Sequence, residues 1–401
     1  METAAPFELE ELRRDWIDGI SGEAFYQEVL DARASLDGGR GMPVIREEDP
    51  IAFAAAFFAA ASMRLPVALA NPKWGAKEQE QFDHLMELGE PPAGSILIPT
   101  GGTTGGVKLA IHDWRSLCSS ARAAQAFLGG GAVHSCCVLP LHHVSGLMQL
   151  LRSFVSGGSI SFNGNDTAGR CLSLVPTQLQ RLMQSVDGIR KMNTAHMIFV
   201  GGAAMPESVE QQARDLRLPV VPVYGMTETA AMIAAIPNGD FLASVDPGAV
   251  MLGDGRASVD PDGSIRVHGS SLFKGYHGGA RMEPSRGFRT GDAGWLDGQG
   301  RLHLHGRMDR LINTGGEKVD PAEVREALLR LEGVAQASVV GEPSEEWGEV
   351  VVAYVKGGPD LPVLNEAEIL GALKKQLSPY KIPKHIRFSP ALTKTAPRPT
   401  A

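Results

Sequence analysis

Ser95-Ile-Leu-Ile-Pro-Thr-Gly-Gly-Thr-Thr-Gly-Gly-Val-Lys108 is the stretch on which the reading of this chain turns. Ser95–Pro99 is an apolar run of strand length that enters a loop of glycines and threonines. The glycines let backbone amides approach and wrap an anion, Thr103 and Thr104 add hydroxyl donors, and Lys108 adds a full positive charge. The loop is not the Walker pattern, because Lys108 stands three residues after Gly105 and Leu109 follows it.

Working outward, Asp113 is placed to cap a helix through Leu117, Ala121 and Ala124 to Leu128, ended by Gly129–Gly131. Ser135–Leu141, Cys171–Val175 and Met197–Val200 read as strands, and Pro206 suits the first turn of a following helix. Strands alternating with helices predict an α/β layer with a largely parallel sheet, whose ligands bind at the carboxyl ends of the strands. The Gly/Thr loop, Gly201–Gly202 and Tyr224–Glu228 fall at such ends. From about Asp246 to Leu304 the texture changes to short β segments with turn signals at Asp262–Gly263, Asp297–Gly298 and Gln299–Gly300. Beyond Asp309 a helix at Pro321–Leu331, strands at Ala335–Val340 and Val350–Val355, and a helix at Glu366–Leu377 describe a small α+β domain. The expected organisation is a large domain over 1–308 and a small one over 310–401.

With 401 residues, 43% apolar and 21% charged, the composition is that of a globular protein. A net charge of −8 argues against general binding to nucleic acid or a membrane surface. The cysteines, Cys118, Cys136, Cys137 and Cys171, form no C-x-x-C pair and read as small residues of apolar elements. The N-terminal stretch is acidic and lacks the apolar core of a signal peptide, and Ile51–Ala61 is Ala-rich and too short to span a bilayer. The expectation is a cytoplasmic protein without an integral membrane segment, as a monomer or homodimer.

Three further segments follow in order. Val223-Tyr-Gly-Met-Thr-Glu228 offers an aromatic plane for a base, a glycine to admit it, a hydroxyl for a phosphate and a carboxylate for Mg²⁺. Arg289-Thr-Gly-Asp-Ala-Gly294 and Gly306-Arg-Met-Asp-Arg-Leu-Ile-Asn-Thr-Gly-Gly-Glu-Lys-Val-Asp-Pro-Ala-Glu-Val324 complete the set. Together these resemble the adenylate-forming superfamily of acyl-CoA synthetases, adenylation domains and luciferases. The resemblance implies ATP, Mg²⁺ and coenzyme A as cofactors and co-substrates, and a small-molecule carboxylate as substrate. It implies an ATP site of Thr100, Gly101, Gly102, Thr103, Thr104, Gly105, Gly201, Gly202, Ala203, Tyr224, Gly225, Asp292 and Arg307. Lys108, Thr227 and Glu228 would be catalytic, with Glu228 on the metal. Asp309 would be the hinge, and Gly315–Gly316 the loop that enters the site for thioester formation.

Leu139-Pro-Leu-His-His-Val-Ser-Gly-Leu-Met-Gln149 occupies the segment that lines the acyl pocket in that superfamily. With a basic residue shortly after it, it resembles the o-succinylbenzoate–CoA ligases of menaquinone and phylloquinone synthesis. Such a substrate is a dicarboxylate, and its second carboxylate needs a cation. Arg152 is the candidate, with His143 in the pocket wall. The alternatives are a packing histidine with a solvated arginine, and a ligase for an aryl or fatty acid. The chain departs from the superfamily at its C-terminus. In register, the usual glycine and lysine fall at Arg398 and Pro399. Either Lys394 or Arg398 replaces the missing cation, or the tail is altered, or adenylation is slow; a degraded or displaced tail is preferred, with Lys394 the favoured substitute on charge grounds. A catalytically silent nucleotide-binding protein is the competing class.

Overall fold

A computed structural model describes residues 6–37, 41–101, 106–243, 246–308, 311–314, 317–344, 347–358 and 365–388. The chain divides into two compact units. The first comprises Met1–Val259, Arg266–Arg289 and Leu296–His303, and the second Asp260–Ile265, Thr290–Trp295 and Leu304–Ala401.

In the first unit, helix α1 (Gly22–Leu36) precedes β1 (Val44–Ile45), and α2 (Pro50–Ser62) precedes β2 (Val67–Leu69). After α3 (Ala76–Met86), β3 (Ser95–Gly101) and β4 (Val107–Asp113) close a four-stranded sheet of order β1-β2-β3-β4. β4 runs antiparallel to β3, a strand that the sequence motifs do not predict. Asp49 caps α2 by accepting from the amides of Ile51 and Ala52, and Pro50 at the first position fixes the entry. The segment read as a buried helix is buried: Phe57, Phe58, Ala59 and Ala60 are fully enclosed.

The second sheet follows α4 (Trp114–Phe127). Asp113 caps that helix as expected, accepting from the Ser116 amide at 2.8 Å. Then come β5 (Ser135–Cys136), α5 (Val144–Ser156), β6 (Ile160–Ser161), β7 (Cys171–Leu174), α6 (Pro176–Met183), α7 (Val186–Thr194), β8 (Met197–Val200), α8 (Glu207–Asp215), β9 (Val220–Met226), β10 (Ala231–Ala235), α9 (Asn238–Ala243) and β11 (Val250–Met251). The order is β11-β10-β9-β8-β7-β5-β6. It is parallel from β9 to β6 and antiparallel at β10 and β11. The expected strand Ser135–Leu141 stops at Cys136, because Pro140 and the turn at His143 carry the chain into α5.

The aromatic core of this unit fixes α5. Phe7, Trp16, Phe58 and Trp114 surround Phe154, with ring centroids 4.8–6.2 Å from it. Arg14 donates to the carbonyls of Ser153, Phe154 and Gly158 at 2.8–3.2 Å, satisfying the C-terminal end of α5. At the other end, a Cβ on Gly146 would sit 2.2 Å from the Pro140 carbonyl oxygen, so only glycine lets the helix start against this turn.

Residues 256–307 carry β12 (Arg256–Val259), β13 (Ser264–His268), β14 (Phe288–Leu296) and β15 (Leu302–Arg307). Within the second unit, β16 (Ile312–Thr314), β17 (Glu317–Val319), β18 (Gln336–Ser344), β19 (Gly348–Lys356) and β20 (His385–Phe388) form one sheet, beside α10 (Pro321–Leu329) and α11 (Glu366–Leu373). Its core is aliphatic: Val324, Leu328, Val351, Val355, Ile369 and Leu373. Among the described residues no helix is long and apolar enough to cross a membrane.

Candidate functional site

The candidate phosphate loop joins two antiparallel strands, so its ends are fixed by the register that sets Thr100 opposite Lys108. Gly102, Thr103, Thr104 and Gly105 lie outside the described residues, as do Asp309, Gly315, Gly316 and Lys394. Lys108 is exposed, and its ammonium lies 5.5 Å from the centre of the Tyr276 ring. Tyr276 belongs to a stretch that runs along the other side of β4. There the amides of Lys274 and His277 donate to the carbonyls of Ile111 and Leu109, and the Ile111 amide donates to Gly275.

The Tyr224–Glu228 segment leaves β9 through one tight turn, Thr227–Thr229, into β10. Ala230 and Ala231 hold φ of 53° and 68°, in a region that costs energy for a residue with a Cβ. A set of side chains holds the turn there. The Thr229 hydroxyl donates to the Ala231 carbonyl at 2.6 Å, and the Ser120 hydroxyl donates to the Ala230 carbonyl at 2.6 Å. His112 Nε2 donates to the Thr227 carbonyl at 2.7 Å, with Nδ1 3.0 Å from the Ser116 hydroxyl. Burial pushes the His112 imidazole down to about 4, so it is neutral. A Cβ on Gly225 would stand 1.9 Å from the Ala231 carbonyl oxygen. This glycine is therefore required by the approach of β10, a packing demand on the same residue that the resemblance assigns to the base.

Glu228 is 7% exposed. Its Oε1 accepts from the Tyr276 hydroxyl at 2.5 Å, and its carbonyl accepts from the Phe273 amide at 2.9 Å. Among the described residues no group of three or more His, Cys, Asp or Glu is arranged to hold a metal ion. A divalent cation held here would have one protein carboxylate and take its remaining ligands from nucleotide and water, the usual manner of Mg²⁺. The residues fit that ion. Gly201 and Gly202 follow β8; a Cβ at Gly201 would meet Val223 at 2.6 Å, and Gly202 has φ of 82°. Ala203 beside them is exposed, and Tyr224 is half-buried.

In the second unit, Arg307 donates to the Thr290 carbonyl at 3.1 Å and lies 3.4 Å from Asp292 Oδ1. Gly291, at φ of 76°, leaves room for the guanidinium.

The acyl-pocket candidates lie on α5. His143 is its exposed N-cap residue, and its ring centre is 4.5 Å from that of the buried His142. Arg152 is 4% exposed, which removes the solvated alternative. Its Nε has no hydrogen-bond partner, and one turn earlier Gln149 Oε1 has none either. The ionisable groups that bear on Arg152 are Cys137 and Cys171, whose thiols burial pushes up to about 12 and about 11. They are neutral and offset nothing. Desolvation draws the guanidinium down to about 10, still a cation at neutral pH. Its ring neighbour is Phe199 of β8, at 5.6 Å.

Sequence reasoning missed His112, Ser120, Tyr276 and Gln149. One signal was available: read as a strand, Val107–Asp113 puts Lys108 and His112 on one face by the period of two.

The AMP-binding enzyme family matches residues 84–277, and the AMP-binding enzyme C-terminal domain matches 323–398. A 2-succinylbenzoate–CoA ligase of Listeria monocytogenes is 30% identical over 328 residues, covering 78% of this chain and 69% of the relative. One of Enterococcus faecalis is 30% identical over 349 residues, covering 80% and 71%. The same fold occurs in the o-succinylbenzoate CoA synthetase of Bacillus subtilis in complex with the acyl-adenylate intermediate OSB-AMP (TM-score 0.76, 22% identity, 94% of this chain and 91% of that one). It occurs also in ATP-bound MatB of Rhodopseudomonas palustris (TM-score 0.80, 22% identity, 97% and 94%). Motif order, strand-end loops and relatives agree: the chain belongs to the AMP-binding enzyme family.

Proposed function

We propose that this protein ligates 2-succinylbenzoate to coenzyme A through an acyl-adenylate. The observation that carries the choice of acid is Arg152, a buried cation with no carboxylate to answer it among the described residues. Burying an unpaired charge costs several kcal/mol, a cost that the second carboxylate of a dicarboxylic acid offsets on binding. The names of the relatives at 30% identity agree with this reading.

In the first step one carboxylate oxygen attacks the α-phosphorus of ATP, a P–O bond forms, the α–β phosphoanhydride bond breaks, and pyrophosphate leaves. Lys108 and the amides of the loop after Thr100 answer the charge that develops on the leaving group. Glu228 would hold Mg²⁺, which supplies charge neutralisation for the phosphates when bound. By the family resemblance, Thr227 would meet the α-phosphate and Tyr224 the base; in the second unit Asp292, with Arg307 beside it, would accept from ribose hydroxyls. In the second step the coenzyme A sulfur attacks the acyl carbon, the thiol proton leaves to solvent, and AMP departs with the mixed-anhydride oxygen. Asp309 is the hinge for the change between steps. Lys394 replaces the missing C-terminal lysine in the first step. The reading places the protein in the cytoplasm, in menaquinone or phylloquinone synthesis.

ATP–pyrophosphate exchange across a panel of acids tests this. Exchange with 2-succinylbenzoate, and little with benzoate or a fatty acid, is expected. Exchange with a monocarboxylate alone refutes the choice of acid. Pro399 at the usual lysine position favours a second reading, a nucleotide-binding protein without ligase activity, and exchange with no acid at all would select it.

A further inference from the structure

Tyr276 lies outside every motif read from the sequence, yet it touches two of the groups on which the nucleotide reading depends. Its hydroxyl donates to Glu228 Oε1 at 2.5 Å, a short, charge-assisted bond of the stronger kind. Its ring stands 5.5 Å from the Lys108 ammonium. Both relations are built into the backbone. Tyr276 pairs with Ala110 in the middle of β4, two residues from Lys108, and the Phe273 amide, three residues earlier, holds the Glu228 carbonyl. One stretch, 273–277, thus fixes the main chain and the side chain of the same glutamate. Among the described residues the second oxygen of Glu228 accepts no hydrogen bond, so the Tyr276 bond sets which oxygen is left for a cation.

We infer that Tyr276 is a positioning residue for the metal-bound nucleotide: it orients the Glu228 carboxylate so that one oxygen is committed to the phenol and the other is presented to the divalent ion. The inference rests on the nucleotide-binding reading above. Partners that orient a metal ligand in this way typically carry a 10–100-fold share of metal affinity.

The test is the ratio of dissociation constants for α,β-methylene-ATP without and with Mg²⁺, measured by calorimetry on the full chain. Tyr276→Phe keeps the ring beside Lys108 and the backbone pairing with β4, so the fold is retained. In this variant the ratio is expected to fall about tenfold, with metal-free affinity unchanged. In Glu228→Gln the ratio collapses by itself, and adding Tyr276→Phe to it causes no further loss, because both act through one carboxylate. An unchanged ratio in Tyr276→Phe overturns the inference. So does an equal loss of affinity with and without Mg²⁺, or full additivity in the double variant. Failure of the wild-type protein to bind the analogue in either condition would instead overturn the nucleotide reading.

Discussion

The turn at Met226–Ala231 and the helix Val144–Ser156 are built on opposite principles. At the turn, two left-handed alanines are held by His112, Ser120 and Thr229, each bonded to a named carbonyl. On the helix, Arg152 and Gln149 are buried with polar atoms that have no partner. A strained but satisfied segment is pre-organised: its cost is met within the fold. A relaxed but unsatisfied segment is completed by what binds, and so it selects. On the proposed reading, nucleotide chemistry falls to the first region and choice of acid to the second.

Replacing Arg152 is the strongest way to break this contrast. Arg152→Met is expected to lower kcat/KM for 2-succinylbenzoate by about a thousandfold or more, the effect of about 4 kcal/mol lost on removing one member of a buried charge pair. The same variant is expected to unfold at a higher temperature in the absence of ligand, since an uncompensated buried charge has been removed. Calorimetric melting beside steady-state kinetics checks both. A lower melting temperature would mean that Arg152 is a structural group.

Next in size is the pH dependence of stability, which sharpens the other side of the comparison. The folded state holds His112 at about 4, below its ordinary 6.5. The unfolded chain therefore takes up a proton first, and stability present above pH 6.5 is lost as the pH falls toward 4, by up to about 3 kcal/mol for this group. His142, also pushed down to about 4 by burial, adds its own share. His112→Asn is expected to be less stable at pH 7.5 and to show a shallower loss between pH 6.5 and 4 in urea titrations. An unchanged slope would remove His112 from the account. The smallest effect is expected from Arg14→Ala, which strips the helix of the donor to three carbonyls. A loss of about 1–2 kcal/mol in a denaturant midpoint, at unchanged slope, is expected.

Much of the parallel sheet was legible because its strands are short apolar runs closed by glycine or proline, and local chemistry carries that signal. The Asp113 cap was legible for the same reason. β4 was not, since Val107–Asp113 is half-exposed and contains a lysine, a histidine and an aspartate, and its pairing with Ser95–Gly101 is a tertiary fact. His112 and Tyr276 were hidden for a related reason: each acts on the Thr227–Glu228 turn from 115 and 48 residues away in sequence. The packing demand on Gly225 was not legible, because room for a ligand and room for a neighbouring strand call for the same residue. Arg152 was legible as a candidate by position, but only burial separates an unanswered cation from a solvated one.

The most direct test of the account is a single turnover of the full-length protein with ATP, 2-succinylbenzoate and coenzyme A, followed by mass spectrometry. The prediction is AMP, pyrophosphate and the succinylbenzoyl thioester in equal amounts, with the acyl-adenylate accumulating when coenzyme A is withheld. Release of ADP and phosphate, or no ATP consumed in the presence of this acid, would contradict it.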